Sequence, residues 1–266
     1  MDYSPVTASW ITPVQAREWI REGEGAGIKI AILDSGVEST HPRLEGIHLV
    51  DDIAVVDDGF QIRIKDGRGR DIYGHGSAVA DVIRRVAPKA QVGSIRVLSE
   101  RLSSRTAIIR EGVRQAFDRG YDILNCSFGC RGEERFILQY KAWVDEAYLK
   151  GRHVVAACNN QNYLTTEWPS HFSTVMSVNM TRTDDEYFFF RGGSLVEFAA
   201  MGEQVEVAWM GGARKIVTGS SYAAPRVSAW LARLLSKSGP LSPLVAKATM
   251  QRIAAPWVRD LNGRNV

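Results

Sequence analysis

Short apolar runs alternate with amphipathic stretches along almost the whole of this chain, and that alternation constrains the fold more than any other feature. The runs at 28–33, 92–98, 123–127 and 154–157 are too short for helices and read as buried strands. Further strands are expected at 174–178 and 196–198. A hairpin is expected at 53–56 and 61–64, around Asp57-Asp58-Gly59-Phe60. Between them, helical patterns occupy 16–22, 75–86, 105–119, 135–150, 221–235 and 243–253. Strands buried on both faces and separated by helices predict an α/β fold, with a mostly parallel central sheet sandwiched between two helical layers. With 266 residues, 45% of them apolar, one such domain spans 1–266, and about 254–266 forms a C-terminal tail, frayed from 259.

Composition excludes several classes of function. The net charge of +3 is small and dispersed. Arg105, Arg110, Arg114 and Arg119 share a predicted helix, but Glu111 and Asp118 interrupt them, so the helix surface is solvated and no nucleic-acid partner is expected. No apolar stretch is long enough to span a bilayer. Residues 1–10 lack the basic start and apolar core of a secretory signal. The three cysteines cannot all pair, and Cys126 and Cys158 end apolar runs, as buried reduced thiols would. A reducing, cytoplasmic setting is therefore expected. Cys126, Cys130, His153 and Cys158 have no zinc-module spacing, and Asp51, Asp52, Asp57 and Asp58 read as a solvated acidic turn. No metal and no cofactor is expected.

Three local frames carry chemistry. Gly219-Ser220-Ser221-Tyr222-Ala223-Ala224-Pro225 is a small-residue turn entering an apolar helix, with Pro225 expected in the first helical turn. It would present a serine beside unpaired backbone N–H groups. A serine nucleophile needs a base, and the base needs an orienting carboxylate. Of the five histidines, only His75 has a strong frame, Gly74-His75-Gly76-Ser77 at the mouth of a helix. Asp34 ends the 28–33 strand in Asp34-Ser35-Gly36, and open α/β sheets place functional groups at strand carboxyl ends.

In the order Asp34, His75, Ser221, these frames resemble the motifs of the subtilisin-like serine proteases. Asp34-Ser35-Gly36-Val37 with His41-Pro42, Gly74-His75-Gly76-Ser77-x-Val79-Ala80 and the Ser221 turn each match, with Ser220 in place of the usual threonine. The resemblance runs from about residue 10 to 253 and includes Val86-Ala87-Pro88 and Ser127-Phe128-Gly129. It implies a serine endopeptidase acting on protein or peptide substrates, with Asp34, His75 and Ser221 as catalytic residues. It also implies an asparagine donor for the oxyanion, assigned to Asn159 with Asn160 as the alternative, because Cys158 replaces the customary glycine. Ser127, Phe128, Gly129 and Ala157 would wall the specificity pocket. Trp168-Pro169 resembles the pair just past the pocket floor, which puts Glu167 at the floor and predicts cleavage after Lys or Arg. A calcium site common in the family is expected to be absent, since Arg43 stands where a ligand acid would and the His75 helix carries no insert. The sequence lacks the long propeptide that the resemblance would lead one to expect, which reads as unaided folding or as a trimmed N-terminus, Met1 favouring the first. Two alternatives remain open: a catalytically silent binding module, and a maturation protease dedicated to one partner protein or precursor peptide.

Overall fold

The computed structural model describes residues 11–59, 61–183 and 187–258. The helices are α1 (Pro13–Glu22), α2 (His75–Val86), α3 (Thr106–Asp118), α4 (Glu134–Leu149), α5 (Ser220–Ser238) and α6 (Pro243–Ile253). The strands are β1 (Lys29–Asp34), β2 (His48–Asp57), β3 (Ile62–Asp66), β4 (Gln91–Arg96), β5 (Ile123–Cys126), β6 (Cys130–Arg131), β7 (His153–Ala157), β8 (Glu167–Trp168), β9 (Met176–Thr181), β10 (Phe188–Phe190), β11 (Phe198–Met201), β12 (Val205–Trp209), β13 (Ala213–Val217) and β14 (Ala255–Pro256).

Ten strands form one sheet in the order β14-β10-β11-β9-β7-β5-β1-β4-β2-β3. From β2 across to β11 every pairing is parallel, and antiparallel pairs occur only toward the edges, at β2–β3 and β10–β11. Strand side chains alternate between faces, so β1 feeds two cores. Ile30 and Ile32 pack with residues of α1, α2, α5 and α6, including Ile20, Ile83, Val227 and Met250. Ala31 and Leu33 pack on the other face with Val113 of α3 and Trp143 of α4. Each fully buried Ile or Leu stabilises the sandwich by roughly 1.5–3 kcal/mol. Those two helical layers make the expected three-layer architecture.

Several elements have no counterpart in the sequence reading. The β12–β13 hairpin packs Val205 and Val207 against Ala78 and Val82 of α2. β6 and β8 pair antiparallel as a separate two-stranded ribbon, Arg131 opposite Glu167. Two-residue strands this far apart in sequence carry no periodicity. The last strand expected at 196–198 instead runs from Phe198 to Met201. Residues 1–10, Phe60 and the 259–266 end of the expected tail lie outside the described residues.

Candidate active site

Asp34 is the last residue of β1 and His75 the first of α2, so both lie at the carboxyl edge of the sheet. The Nδ1–H of His75 donates to Asp34, whose two oxygens lie 2.8 and 2.9 Å from it. Both side chains are buried. Glycine makes this approach possible: Gly74 caps α2 at φ 110°, and a Cβ on Gly76 would collide with the Gly36 carbonyl.

A second buried acid, Asp71, organises the turn. Its Oδ1 accepts from Ser35 Oγ (2.8 Å), Tyr73 N–H (3.0 Å) and Gly74 N–H (2.7 Å), and its Oδ2 accepts from Ser77 N–H (2.7 Å). A carboxylate here satisfies otherwise unpaired donors at the start of α2. Asp71 is absent from the candidates read from the sequence, although an acid followed by Gly74 and Ser77 at a helix start is a usable signal. Burial pushes the His75 pKa down, but the charge and hydrogen bond of Asp34 and the charge of Asp71 outweigh it. The imidazole therefore binds its proton more tightly than a free histidine.

Ser221 is the second residue of α5. Pro225 lies inside this helix rather than in its first turn, because the helix begins at Ser220. Proline has no N–H to donate one turn back, so the Ser221 carbonyl stays open and accepts from Ser127 Oγ at 3.0 Å. Ser127 Oγ in turn accepts from Asn125 Nδ2 (2.9 Å), and Asn125 Oδ1 accepts from Ser228 Oγ (2.8 Å), tying β5 to α5. The Ser221 hydroxyl donates to the Ser127 carbonyl at 3.1 Å. Among the described residues no hydrogen bond joins Ser221 to His75. The adjacent Tyr222 ring nevertheless stacks obliquely 5.4 Å from the imidazole, so the first turn of α5 lies alongside it.

The asparagines behave differently from the sequence expectation. The Asn159 side chain is committed elsewhere: Nδ2 donates to Glu167 Oε1 at 2.8 Å, and Oδ1 accepts from the N–H groups of Gln161 and Asn162, both at 2.9 Å. Asn160 is the one held against the serine turn. Its Oδ1 accepts from Ser220 N–H at 2.7 Å and lies 2.8 Å from Ser220 Oγ. Among the described residues nothing engages its Nδ2, which is the donor an oxyanion requires.

Phe128, Gly129, Ala157, Cys158, Asn159, Asn160 and Glu167 line one cavity of about 370 Å³ together with Ser221. Ser127 stands beside it through its paired contacts with Ser221. Glu167 is half-buried on β8, and a Cβ on Gly129 would lie 2.7 Å from its Oε2. Burial raises its pKa against the lowering effect of the Asn159 hydrogen bond. The Cys158 thiol is buried and its pKa is pushed up to about 12, so it contributes bulk rather than reactivity.

The residues near Arg43 do not suit a calcium ion. Its Nε lies 3.0 Å from Asp81 Oδ2 and its Nη1 2.6 Å from Glu206 Oε1, so a guanidinium already occupies the acidic surroundings. The four acids around the β2–β3 hairpin have protein partners: Asp51 accepts from Tyr121, Asp52 from Gly69 N–H, Asp57 pairs with Arg105 and Asp58 with Arg63.

Comparison with known proteins assigns the family. The model of the subtilase family matches residues 25–265. The chain belongs to the subtilase family. Thermitase of Thermoactinomyces vulgaris is 31% identical over 230 residues, covering 85% of this chain and 81% of thermitase. A thermophilic serine proteinase of Bacillus sp. (strain AK1) is 29% identical over 225 residues; the match covers 80% of this chain and 53%, about half, of that relative. Among solved structures, a cold-adapted subtilisin-like serine proteinase superposes with a TM-score of 0.75 at 25% identity, covering 92% of this chain and 88% of the other. Sphericase, at 24% identity and a TM-score of 0.71 over 86% of this chain and 83% of its own, shares the fold. This subtilase is thus a serine peptidase with a subtilisin-like fold, and its substrates are proteins or peptides.

Proposed function

We propose that this subtilase is an endopeptidase in which Ser221 is the nucleophile, His75 the general base, Asp34 its orienting partner and Asn160 the side-chain donor to the oxyanion. The observation that carries the reading is the doubly contacted Asp34–His75 pair beside the first turn of α5. With Nδ1 committed to Asp34, Nε2 is the nitrogen left to take a proton. The reading requires the Ser221 hydroxyl to leave the Ser127 carbonyl and turn to that nitrogen, a bond of the kind that often tightens only with substrate bound. Oγ then bonds to the scissile carbonyl carbon as its proton passes to Nε2. The carbonyl oxygen gains negative charge facing Asn160 Nδ2 and the Ser221 N–H. His75 returns the proton to the leaving amine as the C–N bond breaks. Water then gives a proton to His75 as its oxygen bonds to the acyl carbon, and the ester bond breaks as His75 returns that proton to Ser221 Oγ, freeing the carboxylic acid product.

Glu167 supports a preference for Lys or Arg before the scissile bond, because a half-buried acid in the cavity beside Ser221 attracts a cation in low dielectric. We extend the proposal to an intracellular setting on the ground that Cys126, Cys130 and Cys158 are all unpaired; fractionation of the producing cell tests it. The main experiment is labelling with a fluorophosphonate. Labelling is expected in the intact protein and in Asn160→Ala, and is expected to vanish in Ser221→Ala. Asn160→Ala is expected to lower kcat by about 10²–10³-fold. An unlabelled intact protein that folds would favour the silent binding module instead.

A further inference from the structure

We propose that Asn159 is a specificity-determining positioning residue, whose side-chain amide holds the Glu167 carboxylate in place to receive a lysine or arginine side chain. The inference rests on the reading of Glu167 as the acid of the specificity pocket. Asn159 occupies both ends of its amide with fixed partners. Oδ1 is anchored by the backbone N–H groups of Gln161 and Asn162 at 2.9 Å each, so the side chain cannot swing. Nδ2 then reaches across the cavity wall to Glu167 Oε1 at 2.8 Å.

A glutamate on a two-residue strand otherwise has three side-chain torsions to order when a cation arrives. The Asn159 bond fixes one oxygen beforehand. The other, Oε2, is left above Gly129, where the absence of a side chain keeps the approach open. A neutral amide suits this role, since it donates to the ionised carboxylate and adds no charge that competes with the incoming cation. Burial acts in the opposite sense, favouring the protonated acid, and the Asn159 bond counters it. Cys158 completes the wall beside Asn159 without an ionised group of its own.

The competing explanation is that Asn159 only shapes its own turn. Oδ1 makes the turn and Nδ2 makes the pocket contact, so the two roles are separable. Asn159→Ser retains a short side-chain acceptor for the turn but cannot reach Glu167. The test measures kcat/KM across pH on two peptides that differ only in Lys or Leu before the scissile bond. Active enzyme is counted by fluorophosphonate titration. In Asn159→Ser the Lys:Leu ratio is expected to fall about 10-fold, the scale of one charge-assisted hydrogen bond. The acid limb of that ratio is expected to move to higher pH, because Glu167 loses a donor to its ionised form. Glu167→Gln is expected to abolish the preference. A ratio that falls in Glu167→Gln but stays at the parent value in Asn159→Ser overturns the role of Asn159 alone. Equal losses on both peptides in Asn159→Ser make it a turn residue and also overturn it. If the parent enzyme shows no Lys preference, or Glu167→Gln leaves it intact, the pocket reading itself fails.

Discussion

His75 and His153 are both buried imidazoles, yet their proton affinities move in opposite directions. His153 opens β7 at the amino edge of the sheet. Burial dominates there, the Arg152 charge adds to it, and the pKa falls to about 4. His75 opens α2 at the carboxyl edge. Burial again is the largest influence and again opposes the charged form, but Asp34 and Asp71 reverse the outcome. The same side chain at similar depth has a weakened hold on its proton in one place and a strengthened one in the other. The difference lies in which acids the surrounding turns bring to it, not in burial.

The contrast can be broken most forcefully at Asp34. Asp34→Asn is expected to lower kcat by about 10⁴-fold, the scale seen when a triad aspartate loses its charge, and to carry the His75 titration downward, toward the behaviour of His153. Kinetics and imidazole NMR on the same sample check this; a variant that stays within about tenfold of the parent would sever Asp34 from the mechanism.

The next effect is on stability. His153 has a native pKa near 4 against an unfolded value near 6.5, so the unfolded chain takes up the proton first as pH falls. Stability associated with this residue is full above about pH 6.5 and is lost between there and about pH 4, by on the order of 3 kcal/mol. His75, with its raised pKa, contributes in the opposite sense and loses its share as pH rises through its native value. His153→Gln is expected to flatten the acid side of a denaturant-unfolding series; an unchanged slope would refute the assignment.

The smallest expected change sharpens the comparison from the His75 side. Asp71→Asn removes one of the two acids that raise the His75 pKa, so the acid limb of kcat/KM is expected to shift to lower pH. Rescue of the parent profile by Asp71→Glu would tie the effect to charge rather than to the turn.

The same contrast explains how much is legible without the fold. Asp34, His75 and Ser221 each sit where a regular element begins or ends, in a frame of glycines and small residues, and such frames are local. Hydrophobic periodicity likewise locates the main strands and helices within a few residues. Asn159 and Asn160 cannot be told apart in this way, because consecutive residues leaving one strand have almost the same local signal. What separates them is the position of Ser220 and Glu167 around them. Asn125 escapes a reading along the chain because its partner Ser228 lies on α5. Asp71 has a local signature in Tyr73, Gly74 and Ser77, and only its contact with Ser35 at the exit of β1 needs the fold.

The amino-acid pattern alone was sufficient for the layered α/β architecture and for singling out the frames of Asp34, His75 and Ser221, since backbone preference and burial periodicity act over a few neighbouring residues. Glu167 is assigned to the pocket floor through the resemblance of Trp168-Pro169, but the way its carboxylate is held is not of that kind. It follows from the pairing of Arg131 with Glu167, two strands too short to announce themselves, and from an amide that reaches the carboxylate across a turn. The direction of a side chain into a pocket is fixed by contacts between distant segments, and those exist only once the chain has closed on itself.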